Sequence, residues 1–343
     1  MTSPYHYLLS EVVNALVSGK SLYDLKRIAT RFSYSEAILE LGKTNPKLIV
    51  LNADVSKSLK TTDFAEEYPN QEFNFGISEQ NMVSASAGMA TTGLTPFVSG
   101  YAVFICMRAL DQVRNNIHYP KLNVKIAASH TGLTPGSDGV THQAQEDISI
   151  MRSIAGSCVI APADHLTCKM AVGKALEYIG PVYISLTREP IPLLFQENYP
   201  FEIGKAVEIR DGMDAAIISS RDMAAQSLMA ASSLEKKGIS TRVIDCHTIK
   251  PLDEETILNA AKETKAIVTV EDNIKFGGLG SAVAELLVEN YPIPMKRIAI
   301  GDHFAESGPY LDLLEKYGLS SPYIEKAVEI VIDRKNKMGF SYD

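Results

Sequence analysis

The run Ser129-His130-Thr131-Gly132-Leu133-Thr134-Pro135-Gly136-Ser137-Asp138-Gly139-Val140-Thr141-His142-Gln143 packs two imidazoles and a carboxylate into one glycine-rich stretch directly after an apolar segment. Imidazoles donate and accept hydrogen bonds, so His130 and His142 with Asp138 suit the hydroxyls of a sugar. A metal site competes for the same atoms, but a histidine spacing of twelve with one nearby aspartate matches no tight ligand template. Incidental histidines on a surface loop are the plain alternative. Gly76-Ile77-Ser78-Glu79-Gln80-Asn81 opens a run rich in small residues. A carboxylate there can simply favour a helix start through the free N–H groups and the dipole, or it can move a proton in a closed pocket. Tyr101 and Phe104 stand ahead of Arg108, either as core or as walls for a flat heterocycle. Arg31 and Arg188 remain. Arg188 follows an apolar run, where a guanidinium can clamp an oxyanion bidentately, although either arginine alone fits a solvated surface.

These groups need a frame, and the apolar pattern supplies one. Leu8, Leu9, Val12, Val13, Leu16 and Val17 form a helical stripe closed by Gly19, read as capping a core or docking on a partner. Apolar runs at 48–51, 124–128, 158–161 and 182–186 read as buried strands, with helices at 35–41, 79–92, 103–116, 146–154 and 166–179 between them. Pro190, Pro192 and Pro200 interrupt this rhythm over 189–205. It then restarts, with strands at 215–219, 241–244, 266–270 and 297–300 and helices at 223–236, 254–262, 279–288, 311–317 and 323–334. Strands alternating with helices predict two three-layer α/β domains with mainly parallel sheets. The expected division is an N-terminal helical extension over 1–25, a first domain over 26–189, a linker over 190–205 and a second domain over 206–343.

Composition excludes other classes. Apolar residues make up 45% and charged residues 22%, as in ordinary globular chains, and no window has the apolar length of a bilayer span. A formal net charge of −8 argues against nucleic acid or an anionic membrane as the main partner. Cys106, Cys158, Cys168 and Cys246 form no CxxC pair and read as reduced thiols of a cytoplasmic protein. The opening Met-Thr-Ser-Pro-Tyr-His carries no basic and apolar export pattern.

Taken in order, Ala29-Thr30-Arg31, Asn52-Ala53-Asp54 with Ser58, Gly76-Ile77-Ser78-Glu79-Gln80-Asn81, the aromatic pair before Arg108, His130…Asp138-Gly139-Val140-Thr141-His142-Gln143 and Leu186-Thr187-Arg188 resemble the pyrimidine-binding domain of transketolases. Cys246-His247-Thr248-Ile249-Lys250-Pro251-Leu252-Asp253 and Gly277-Gly278-Leu279-Gly280-Ser281 are similar to that family's C-terminal domain. The Gly-Asp-Gly…Asn motif with which transketolases bind the diphosphate of thiamine diphosphate and its Mg2+ (or Ca2+) does not occur, so the resemblance is to the second subunit of a split transketolase. It implies an N-terminal diphosphate-binding partner subunit, with two copies of each chain in a heterotetramer, and transfer of a two-carbon ketol unit between anionic sugars such as sugar phosphates. It further implies that Glu79 shares a proton with the aminopyrimidine ring, that Tyr101 and Phe104 pack on that ring with Arg108 alongside, and that Asp54 lies near the cofactor between subunits. His130 and His142 would be catalytic, and together with Asp138 they would hold sugar hydroxyls. Arg31, Ser58 and Arg188 would grip the anionic end. Ser137, where many relatives have Glu, and Gly100-Tyr101, in place of a common Ser/Thr-Phe, depart from the pattern. The beta subunit of a 2-oxoacid dehydrogenase and a non-catalytic assembly subunit are the alternatives. The polyol-binding Asp-Gly-x-Thr-His-Gln loop speaks against the first, and retention of Glu79 with both histidines against the second.

Overall fold

The computed structural model describes residues 3–339; Met1, Thr2 and the last four residues, which fall in the expected extension and second domain, lie outside it. The first half of the chain contributes β1 (Arg27–Ile28), β2 (Leu48–Asn52), β3 (Glu72–Asn74), β4 (Thr95–Tyr101), β5 (Lys125–Ser129), β6 (Cys158–Ile160), β7 (Val182–Ser185) and β8 (Ile191–Pro192). The second half contributes β9 (Val207–Arg210), β10 (Ala215–Ser219), β11 (Thr241–Asp245), β12 (Thr248–Lys250), β13 (Ile267–Ile274) and β14 (Met295–Ile300). Strands β2, β5, β6 and β7 are buried at every position, which is why their sequences are continuous apolar runs rather than alternating ones.

A seven-stranded sheet runs β12-β6-β7-β5-β4-β2-β3, parallel except where β12 meets β6. A five-stranded sheet runs β14-β13-β10-β11-β9, parallel except for β9. Helices separate most of the parallel strands of both sheets, so the chain forms two α/β units as the pattern predicts. The halves share their interior. One apolar cluster joins Val50 and Ile184 to Ile217 and Val331, and the other joins Leu51 and Ile126 to Ile218 and Ile257.

Some expectations change. The helix expected over 103–116 is instead two π-helical segments, Phe104–Arg108 and Val113–His118, around a short α-turn at Leu110–Gln112. The polar or Pro- and Gly-containing strands β3, β4, β9 and β12 are additional. The stretch 190–205 is no loose tether: β8 pairs with β1, and Leu194, Phe195, Tyr199 and Phe201 are buried. The N-terminal helix, Ser10–Ser18, buries Val12, Ala15 and Leu16 and takes a hydrogen bond from Ser232 Oγ to the Leu16 carbonyl, so it covers the core. Val17, read as part of its apolar stripe, points to solvent with 67% exposure.

Candidate active site

In an open parallel sheet the carboxyl ends of the strands are where loops converge on a ligand, and most of the predicted residues are found there. Asp54 and Ser58 follow β2, Tyr101 ends β4 with Phe104 and Arg108 just beyond, His130 follows β5, and Arg188 follows β7. Glu79 begins the helix Glu79–Thr91 after β3. Arg31 begins its helix beside β7, because Thr30 and Thr187 exchange backbone-to-hydroxyl bonds of 3.0 and 2.7 Å. His130 sits at a φ of +66°, a left-handed conformation that costs a non-glycine residue energy and clusters at functional sites.

The side chains form a connected set. Arg31 Nη1 donates to the Ser58 carbonyl at 3.0 Å, and Tyr101 Oη donates to Ser58 Oγ at 2.8 Å. The Tyr101 ring lies on the His130 imidazole with centroids 3.8 Å apart and is offset against Phe104 at 5.8 Å. His142 meets both Tyr101 and Phe104 edge-on at 5.9 Å. The Arg108 guanidinium covers Phe104 at 4.4 Å, and its Nη1 donates to Glu79 Oε2 at 2.9 Å. Glu79 is 4% exposed. Its carboxylate therefore serves Arg108 rather than the backbone of its own helix, whose start has no side-chain cap.

At the end expected to grip an anion, Arg188 is already paired with carboxylates. Arg188 holds Asp138 through Nε at 2.9 Å and Nη2 at 3.2 Å, and Glu189, unremarked in the sequence, through Nη1 at 2.7 Å. His130 Nε2 lies 3.8 Å from Asp138 Oδ2, and its Nδ1 is 2.6 Å from Ser129 Oγ. Burial, reinforced by Arg31, Arg188 and His142, pushes the His130 imidazole down to about 3, so the ring is neutral at physiological pH. Burial and the neighbouring Arg188 likewise lower Arg31. Asp54 stands apart. It is exposed, at a φ of +61°, and joins the site only through its amide, which donates to Asn74 Oδ1 at 3.1 Å. Asn74 also accepts from the Gly76 amide in the loop before Glu79, at 2.9 Å.

The histidine loop rests on the second half of the chain through residues that sequence reasoning missed. The Leu133 amide donates to both oxygens of Asp272, at 3.0 and 2.9 Å, and Gln143 Nε2 donates to the Glu306 carbonyl at 3.0 Å. Gly132, at a φ of +56°, passes so close that a Cβ would lie 2.2 Å from Asp272 Oδ2. Arg221 donates to Ser185 Oγ at 2.9 Å and to the Asp272 carbonyl; Asp147, Asp222 and Asp272 surround it. Burial pushes Asp272 up to about 8 even though Arg221 opposes it. The available signal was position: Arg221 and Asp222 follow β10, and Asp272 lies late in β13.

Comparison with known proteins shows the family. Residues 26–192 match the transketolase pyrimidine-binding domain and residues 204–324 the transketolase C-terminal domain. A putative transketolase C-terminal section from Methanocaldococcus jannaschii is 43% identical over 87% of this chain and 94% of its own length. The SqwH subunit of a 6-deoxy-6-sulfo-D-fructose transketolase from a Clostridium species is 39% identical over 89% of this chain and 95% of its own. A solved structure described as a split-gene transketolase, inactive beta4 tetramer, superposes with a TM-score of 0.84 at 46% identity, covering 89% of this chain and 99% of that one. The chain belongs to the transketolase family, as a member that matches split-transketolase subunits over nearly their whole length.

Proposed function

We propose that this chain is the pyrimidine-holding component of a two-component, thiamine-diphosphate-dependent transketolase that moves a two-carbon ketol unit from a ketose to an aldose. One observation carries the reading: a buried carboxylate, Glu79, is joined through Arg108 to the face of Phe104, which stacks with Tyr101, at the strand ends of a transketolase pyrimidine-binding domain. A carboxyl acceptor beside stacked aromatic rings fits an aminopyrimidine. When bound, thiamine diphosphate supplies the electron sink at its thiazolium carbon. Glu79 would hold a proton at the ring nitrogen, and Tyr101 and Phe104 would pack on the ring and keep water out. Arg108, which covers Glu79 and Phe104 here, would give way to that ring. Neutral His130, with His142 and Asp138, offers donors and acceptors to sugar hydroxyls and to charge developing on oxygen. Arg31, Ser58 and Arg188 would hold the anionic end, whether phosphate or sulfonate, and Asp54 would lie near the cofactor between subunits. The resemblance to transketolases assigns Mg2+ to the partner's diphosphate-binding domain.

The partner in this reading is a subunit carrying the diphosphate-binding domain, with two copies of each chain in closed symmetry. The inactive beta4 state of the similar solved protein agrees with a chain that is idle alone. Four buried free cysteines, and the absence among the described residues of any helix long and apolar enough to cross a membrane, suit a cytoplasmic setting. The 2-oxoacid dehydrogenase alternative is not favoured, since the similar proteins are transketolase subunits.

The test is reconstitution with such a partner. The pair is expected to transfer ketol units with added cofactor and Mg2+, and the chain alone is not. Glu79→Gln in the pair is expected to slow exchange of the cofactor's thiazolium proton by ~10²–10⁴-fold with little change in melting temperature. Normal exchange in a less stable protein would return Glu79 to a structural role.

A further inference from the structure

We infer that the second half of the chain carries a site for a small, multiply charged oxyanion of the phosphate type, separate from the histidine loop. Lys275, Lys296, Arg297 and Arg334 line one open cavity of about 610 Å³, whose walls come from β14 and the helices Leu279–Asn290 and Ser321–Lys337. Four cations border this space, Lys296 and Arg297 leaving opposite faces of the edge strand β14 as strand neighbours must, and they stand out in a chain of net charge −8. Among the described residues none of the four pairs with a carboxylate. Lys275 only overlies the Phe276 ring, at 5.1 Å. The nearby acids are committed elsewhere. Glu285, on the rim, is held by Arg152 through Nη1, at 3.2 Å, and Nη2. Glu271, behind Arg297, is fully buried and accepts from the Leu279 and Gly280 amides at 2.8 Å each.

Arg297 is built in rather than draped on the surface. Its Nη1 donates to the Lys275 carbonyl at 2.9 Å and to Ser281 Oγ at 3.3 Å. Its stem crosses Gly280 so closely that a Cβ there would lie 2.9 Å from Cδ and 3.1 Å from Cγ. One edge of the guanidinium is thus fixed while Nε and Nη2 keep their donors for a ligand, which is the fork that recognises phosphate oxygens. Basic residues on an edge strand such as β14 also discourage edge-to-edge pairing. That role asks only for charge, and it does not require a seated guanidinium with a glycine beneath it. The cavity falls in the small-ligand size range of roughly 300–1,000 Å³.

Titration of the full chain with pyrophosphate in chloride buffer, followed by calorimetry, tests the inference. One saturable site is expected. Arg297→Ala and Lys296→Ala should each weaken it at least tenfold, and Arg297→Lys, which keeps the charge but loses the fork, should weaken it by less than Arg297→Ala. Arg188→Ala, on the histidine loop, should leave it intact. Circular dichroism confirms that each variant is folded, and half-buried Lys296, which holds no hydrogen bond that Arg297 holds, gives a reading even if Arg297→Ala is not. Unsaturable binding overturns the inference, as does binding that survives both Arg297→Ala and Lys296→Ala, or binding lost in Arg188→Ala alone. Binding of polyglutamate without pyrophosphate also overturns it and makes the cavity a protein contact.

Discussion

Arg108→Ala separates two uses of the same arginine. The guanidinium donates to Glu79 Oε2 at 2.9 Å and lies 4.4 Å over Phe104, with its side chain 47% exposed. A hydrogen bond between charged groups contributes about 1.5–3 kcal/mol when dry, and exposure on this scale brings it down to about 1 kcal/mol. The cation over the ring adds roughly 0.5–1 kcal/mol. The apo chain should therefore lose about 1–2 kcal/mol of stability. A heterocycle that needs both Glu79 and the face of Phe104 must first displace those contacts, so their removal should tighten thiamine diphosphate binding in the reconstituted pair by roughly tenfold, at 1.4 kcal/mol per decade. Equilibrium dialysis or calorimetry on the pair reads the affinity, and urea unfolding of the single chain reads the stability. Weaker cofactor binding in Arg108→Ala would refute the displacement argument and make Arg108 a cofactor ligand in its own right. Unchanged binding with unchanged stability would remove it from the site.

Three further outcomes follow from the buried groups around the histidine loop. His130 is pushed down to about 3 while the unfolded ring titrates near 6.5. The unfolded state therefore binds the extra proton first, and this contribution to stability, present above about pH 6.5, is lost as pH falls towards 3. The His130 ring resonance in NMR should stay unshifted from about pH 8 to 5, and a midpoint near 6.5 would refute the neutral assignment. Asp272→Ala strips the Leu133 amide of its acceptor and Arg221 of a partner in a fully buried place, so urea unfolding should show a loss of about 3–5 kcal/mol. Gly132→Ala, which must seat a methyl against the same carboxylate, should also destabilise, and a loss below about 1 kcal/mol in both variants would contradict the packing described.

Where burial alone decides conformation, the sequence was legible: β2, β5, β6 and β7 are apolar because both faces are covered, and the chain says so directly. Where a neighbour decides, it was not. Glu72-Phe73-Asn74 and Thr248-Ile249-Lys250 have little strand pattern of their own and are extended because β2 and β6 offer them ladders. Pro96, Ser99 and Gly100 disguise β4, although it lies between two parallel strands. Prolines at 190–200 read as a linker because turn chemistry does not reveal that Phe195 and Tyr199 pack against each other inside, tilted at 46° with centroids 4.5 Å apart. In the site, short-range motifs carried Glu79, His130, His142 and Arg188. The support from Asp272 and Arg221 was hidden because charged residues are usually solvent-facing, and only a fold that brings residue 133 to residue 272 changes that.

β12 has a mechanical consequence. Three residues from the second half complete the edge of the first sheet, and the bond from the Ala161 amide to the His247 carbonyl, at 2.8 Å, continues that seam, while the Arg221 amide reaches back to Ala161 at 3.1 Å. Two bodies joined through a shared sheet resist shear and hinge bending far more than two bodies touching at side chains, since any rotation must break ladder bonds in register. The halves are thus geared together. In the proposed function a sugar would then enter through the open face above the strand ends, and its traffic would depend on what the partner subunit leaves uncovered there.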